Sequence, residues 1–148
     1  MSNSNKSATV IEKFKQALSS TAKVISDDIS HKDNTDKNKS SNKFNFFQLD
    51  NLNSKSDFIK ARAESDSSAL KIRFSNNEIY NKNLPSNSSC KQLYSIAEKI
   101  RYESLGGKML RGIEKNFIEN YNQMINLKRK DQLETKEDVP VTEAFELY

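Results

Sequence analysis

The chain has no histidine–cysteine equipment for metal chemistry. It contains a single cysteine, Cys90, and a single histidine, His31. One cysteine excludes an intramolecular disulfide and cannot hold a metal alone. His31 falls in a stretch expected to be disordered, where a catalytic base could not keep a fixed geometry. Cys90 lies near a predicted helix start, which can lower a thiol pKa. With no histidine beside it in the sequence, it reads as structural or incidental. No apolar run is long enough to cross a membrane. The N-terminal Met-Ser-Asn-Ser-Asn-Lys lacks the apolar centre of a signal peptide, so a cytoplasmic protein is expected. There is no Gly-x-x-x-x-Gly-Lys-Ser/Thr loop for nucleotide phosphates, no His-Glu-x-x-His, and no paired cysteines. Asp66-Ser67-Ser68 begins like an Asp-x-Ser-x-Ser metal site, but Leu70 occupies the place of the second serine.

Apolar residues are also scarce, at 34% of 148 residues, against about 45–50% in ordinary globular chains. Asn, Ser and Lys take their place. The 24 basic and 20 acidic residues give a net charge of +4 and a pI near 9.1. That surface is mixed and not polycationic, compatible with an acidic partner.

The apolar residues that remain are concentrated in periodic stretches. Residues 1–8 read as a disordered tail. Thr9 and Glu12 have the spacing of a capping box. Behind them Ile11, Phe14, Leu18, Ala22 and Ile25 recur at steps of three and four, predicting a helix over 9–28. Residues 29–43 hold no large apolar side chain and read as a disordered linker. Phe44-Asn45-Phe46-Phe47 follows as a short aromatic patch that anchors the linker, with an edge strand or docking segment as the alternative. Leu70, Ile72 and Phe74 alternate with Lys71, Arg73 and Ser75, the pattern of a half-buried strand. Asn76-Asn77 can turn the chain and Ile79-Tyr80 can return it as a β-hairpin.

Ser89 and Gln92 suggest a second capping box, opening a helix whose face is Leu93, Ile96, Ala97, Ile100 and Leu105. Gly106-Gly107 then predicts a helix stop. A third helix carries Leu110, Ile113, Phe117, Tyr121 and Met124 on one stripe, with Gly112 marking a close approach of another backbone. A short break between two such helices favours an antiparallel hairpin. Residues 128–148 read as a charged linker followed by a truncated helix. The expected fold is therefore mainly α with a small β-hairpin (α+β), its core domain spanning 44–127.

On these elements Glu98 and Glu103 are five residues apart, about 140° around a helix, so they do not form a carboxylate pair on one face. Glu98 and Arg101 can pair at three residues. Lys108, Arg111 and Lys115 recur on one side of the third helix, where interleaved Glu114 and Glu119 argue against a nucleic-acid groove. Glu98, Arg101, Glu103 and Arg111 are the candidate partner-binding residues; no catalytic, cofactor-binding or metal-binding residue is identified.

Several of these segments together resemble a known family. Glu98-x-x-Arg101-x-Glu103-x-x-Gly106, then Met109-x-x-Gly112-Ile113 and Asn116, is similar to the N-terminal region of the cobaltochelatase T subunit, the CobT family of aerobic cobalamin biosynthesis. Glu12-x-Phe14-Lys15-x-Ala17-x-x-x-Thr21-x-x-x-Ile25, Ala69-Leu70-Lys71-Ile72-Arg73 and Pro140-Val141-x-Glu143-Ala144 extend the likeness over the chain. The resemblance implies a non-catalytic assembly subunit, or a fragment of one. It would act in an ATP-dependent complex that inserts cobalt into a corrin ring. Its partners would be an AAA+ ATPase subunit and a large corrin-binding subunit. ATP, magnesium and cobalt are used by that complex, and no cofactor is expected in this chain. The family continues into an acidic linker and a von Willebrand type A domain, and this sequence ends before both. The alternative reading is a free-standing basic helical adaptor that binds nucleic acid or an acidic protein.

Overall fold

The computed structural model describes residues 3–26, 52, 54–130 and 139–147, with side chains described from residue 9 onward and, in the fifth helix, as far as residue 127. The expected linker at 29–43, with His31, and the Phe44–Phe47 patch lie outside the described residues.

Every regular element among the described residues is an α-helix. They are α1 (Asn3–Ile25), α2 (Lys55–Phe74), α3 (Asn77–Lys82), α4 (Ser88–Met109), α5 (Arg111–Lys130) and α6 (Val141–Leu147). The small β-hairpin expected around 70–80 is not present. Residues 70–74 are the last turn of α2, whose start is set by Ser54. The Ser54 hydroxyl accepts from the Asp57 amide at 3.2 Å, and the Asp57 carboxylate accepts from the Ser54 amide at 2.9 Å. This reciprocal cap satisfies two donors that would otherwise be orphaned.

The apparent strand alternation has a helical cause. Leu70 and Phe74 are one turn apart and face inward, with Leu70 fully buried, whereas Ile72 points away and is 40% exposed. Asn76 likewise opens a helix where a hairpin turn was expected. Its Oδ1 accepts from the amides of Glu78 and Ile79 at 2.9 and 3.1 Å, capping α3.

Three further expectations change. α1 already begins at Asn3, so residues 3–8 belong to the helix and not to a tail, and Thr9 lies inside it. Asn87, not Ser89, caps α4, accepting from the amides of Ser89 and Cys90. α4 also runs straight through Gly106-Gly107 and ends at Leu110, whose φ of −136° and ψ of 107° are extended. The glycine pair serves packing instead of termination. A Cβ on Gly106 would overlap the side chain of Leu70, and one on Gly107 would come within 3.5 Å of Glu114 Cβ.

α2 is the central helix and packs against α1, α4 and α5, while α4 and α5 also pack on each other and α6 lies on α4. Phe14 meets the Phe58 ring edge-on at 4.9 Å, and the Arg73 guanidinium reaches the Ile25 carbonyl at 3.1 Å. These contacts make α1 and α2 parallel. Gly107 against Glu114 and Glu103 against Tyr121 make α4 and α5 the expected antiparallel hairpin. Leu110 is its one-residue joint. Its amide donates to the Gly106 carbonyl at 2.9 Å, and its carbonyl accepts from Ile113 at 3.0 Å.

The main core gathers Ala22, Ile25, Ala63, Ala69, Leu70, Tyr102, Ile113 and Phe117, and a second cluster gathers Leu18, Leu52 and Ala61 under Phe14 and Phe58. The stripe read for α1 is the one that packs. The α4 face is turned from its expected position: Tyr102, Glu103, Gly106 and Gly107 are buried, while Ala97 and Leu105 are exposed.

Candidate functional site

The four residues expected to face a partner occupy three different environments. Glu98 and Arg101 form a bidentate pair, with Arg101 Nε and one terminal guanidinium nitrogen each 2.7 Å from a Glu98 oxygen. The same guanidinium donates to the Phe74 carbonyl at 2.6 Å, and the Ser75 hydroxyl donates to Glu98 at 2.8 Å. The pair therefore closes the C-terminus of α2, where carbonyls lack helical partners and a cation suits the dipole. The Arg101 hydrogen bond holds the Glu98 carboxyl below its ordinary pKa against the opposing effect of burial, with Ser75 contributing in the same direction. Hydrogen bonding to Glu98 in turn raises the pKa of Arg101.

Glu103 does not face outward. It is 7% exposed and joins three helices. Oε1 accepts from the Ser67 hydroxyl of α2 at 2.6 Å, and Oε2 accepts from the Tyr121 hydroxyl of α5 at 2.7 Å. Burial and donation to Glu103 push the Tyr121 phenol pKa up. Tyr102 beside it is raised, chiefly by burial. A carboxylate in such a place is tolerated only while its oxygens keep donors.

Asp66, which the sequence singled out only as a failed metal motif, is 2% exposed and accepts from the Asn116 amide at 2.6 Å. Burial raises its pKa, opposed by the Asn116 hydrogen bond and the nearby Arg62 charge. Among the described residues, no three His, Cys, Asp or Glu side chains converge as a metal site.

Lys99 was given no role by the sequence. Its ammonium pairs with Glu146 of α6 and stands 5.6 Å from the Tyr121 ring centre. Burial works against the charged form, but the hydrogen bond to Glu146, with Tyr121 and Glu103 nearby, keeps the Lys99 pKa above its ordinary value. Ser67, Glu103, Tyr121, Lys99 and Glu146 thus form one chain of polar contacts from α2 to α6. The bonded pairs Glu103–Tyr121 and Lys99–Glu146 are eighteen and forty-seven residues apart, too far for local spacing to reveal.

Arg111 alone of the four expected residues is exposed without a structural bond among the described residues, at the corner where α4 passes into α5. Gly112 beside it has nothing within 4 Å of a Cβ position, so the expected close approach does not occur among the described residues. A second surface feature is an open groove of about 510 Å³ between α3, α4 and α6, lined by Tyr80, Leu84, Ile96 and Thr142, with Lys91 its one charged group. The Tyr80 and Tyr94 rings meet at a tilt of 34°, their centres 5.1 Å apart. No helix among the described residues is long and apolar enough to cross a membrane.

Compared with known proteins, residues 8–148 match the family model described as cobalamin biosynthesis protein CobT. No curated protein and no solved structure matches the chain.

Proposed function

The chain belongs to the CobT family of cobalamin biosynthesis proteins, and from that premise we propose that it is a non-catalytic assembly subunit of an ATP-dependent cobaltochelatase. The match across residues 8–148 carries this reading. The use of the polar groups between helices supports it. Glu98, Arg101, Glu103, Asp66 and Lys99 are each bonded to another helix or its end. Such groups set the relative positions of α2, α4, α5 and α6, and leave the outer faces as the protein's means of action. In this role the chain binds the AAA+ ATPase subunit and presents it to the large subunit that holds the corrin. Cobalt is the substrate of the assembled complex, and ATP is consumed by the ATPase.

Reconstitution tests the proposal. Purified ATPase and large subunits are assayed for cobalt insertion and ATP hydrolysis with and without this chain. Insertion that requires the chain, with no turnover by the chain alone, is the expected result. Turnover by the chain alone, or no binding to either subunit, overturns it. In the second case, retention of the chain on an acidic protein or nucleic acid would support a free-standing adaptor.

A further inference from the structure

The corner between α4 and α5 carries exposed groups that neither the core nor the interhelical bonds employ. Leu105 and Met109 lie one turn apart on α4, and Leu110 follows at the joint. They are 40%, 42% and 45% exposed. Lys108, Arg111 and Lys115, all exposed, flank them.

Some cations elsewhere on the described surface stand against carboxylates: Lys55 with Glu119, Lys60 with Glu64, Arg101 with Glu98. Others, such as Lys13, Lys23, Lys82 and Lys91, are exposed and scattered. The corner differs in gathering three cations around exposed apolar side chains. The three corner cations form no such pair among the described residues. Gly112 is an independent observation. Glycine weakens a helix relative to alanine, and a close packing neighbour is the usual reason to find one there. Gly106 and Gly107 each have that neighbour inside the chain, in Leu70 and Glu114; Gly112 has none among the described residues. Its bare Cα is open to solvent, next to Arg111.

We propose that this corner docks an acidic amphipathic segment of another protein. The segment's carboxylates meet Lys108, Arg111 and Lys115, its apolar side chains cover Leu105, Met109 and Leu110, and its backbone passes over Gly112. The mixture of groups selects this occupant. A wholly apolar partner would strip water from three cations without pairing them. A purely anionic ligand would leave three large apolar side chains in water. Charge complementarity of this kind sets orientation and encounter rate. The inference deepens the assembly-subunit reading and rests on it for the identity of the partner, but the corner can be tested without knowing the partner.

The first probe is a fluorescent helical peptide of about sixteen residues, long enough to form turns when bound, with Glu and Leu at helical spacing. Two counterparts replace Glu by Gln, or Leu by Ser. Anisotropy titrations with the full chain should show the parent peptide binding at least about tenfold more tightly than either counterpart. Lys108→Glu with Arg111→Glu, Met109→Ser, and Gly112→Leu should each lose about tenfold in affinity, while Lys60→Glu on α2 should lose nothing. Gly112→Ala replaces Gly112→Leu if the larger side chain prevents folding.

Equal binding of the three peptides, no binding, or indifference to the corner substitutions overturns the proposal. The ATPase subunit is the second probe. If it binds the chain and ignores the corner substitutions, the corner is wrong and the assembly reading stands. If the parent peptide binds at the corner and the ATPase subunit does not bind, the corner stands and the assigned partner is wrong.

Discussion

Leu70 of α2 seats its side chain against the bare Cα of Gly106 in α4. Leu70 is fully buried, and a Cβ on Gly106 would overlap its side-chain carbons. The central helix contact thus depends on a missing methyl group. Leu70 cannot withdraw, because Ala22, Ala69 and Phe117 belong to the same cluster.

Gly106→Ala should therefore destabilise the fold by about 1–3 kcal/mol, the usual cost of an extra carbon in a packed core. Gly112→Ala, with open space around it, should instead raise stability by roughly 0.5 kcal/mol through helix propensity. Urea melts of the two variants beside the parent chain check the contrast. A Gly106→Ala chain as stable as the parent would mean that α2 and α4 can separate freely.

Asp66 makes stability fall as pH rises. Its folded-state pKa lies above the ordinary value of 3.8, chiefly through burial. The folded state then holds its proton more tightly than the unfolded state. Below both pKa values the group contributes no difference, and the penalty grows from about pH 4 upward until the folded carboxyl is also ionised. Asp66→Asn keeps an oxygen to accept from Asn116 and removes the titration. The stability of this variant relative to the parent should rise between pH 3.5 and pH 6, read from denaturant midpoints at each pH. A constant difference across that range would show that Asp66 titrates as it does in the unfolded chain.

Arg101 is a helix cap as well as half of an ion pair. Arg101→Glu would place a carboxylate beside Glu98 and against the Phe74 carbonyl that Arg101 now satisfies. The expected loss is about 1–3 kcal/mol, more than the exposed ion pair alone would give. Arg111→Glu, exposed at the corner, should change stability by less than about 0.5 kcal/mol. Thermal melts of the two reversals decide between a structural and an interfacial role for each. An unchanged midpoint for Arg101→Glu would return that residue to the outer surface.

The contrast between these arginines shows where the sequence was readable. The stripes of α1 and α5 were plain because Leu18, Ile25, Ile113 and Phe117 are large and recur at helical steps. α2 was misread because between Ile59 and Leu70 its buried residues are Ala61, Ala63, Ser65, Asp66 and Ala69, small or polar residues that give no hydrophobic period. Phe58 and Ile59 stand far from the next large apolar residue, and Leu70, Ile72 and Phe74 at alternate positions imitate a strand. The glycines failed for a related reason. Gly106-Gly107 carries a strong local stop signal, but a close crossing with α2 and α5 outweighs it. The spacing of Glu98 and Arg101 predicted their ion pair, and nothing local could show that α2 ends beneath it. Glu103 looked like a surface charge because its two donors, Ser67 and Tyr121, come from distant parts of the chain.

Lys99 and Glu146 tie α6 to α4. A helix of seven residues is too short to persist in water unaided, so its order depends on what it touches. Val141 and Phe145 are largely exposed and offer it little apolar burial. The Lys99–Glu146 contact, half-shielded and backed by the Tyr121 ring, is thus a tie that acts beside the partly buried Thr142, Glu143 and Leu147. Glu146→Gln removes the charge but keeps an acceptor, whereas Glu146→Ala removes both. Hydrogen exchange of residues 141–147 should quicken slightly in the first variant and approach the unprotected rate in the second. The core of Leu70 and Phe117 should keep its protection in both, because α6 is not part of that cluster, and local opening need not cost global stability. Protection of α6 that survives Glu146→Ala would mean that its apolar contacts with α4 hold it without the ion pair.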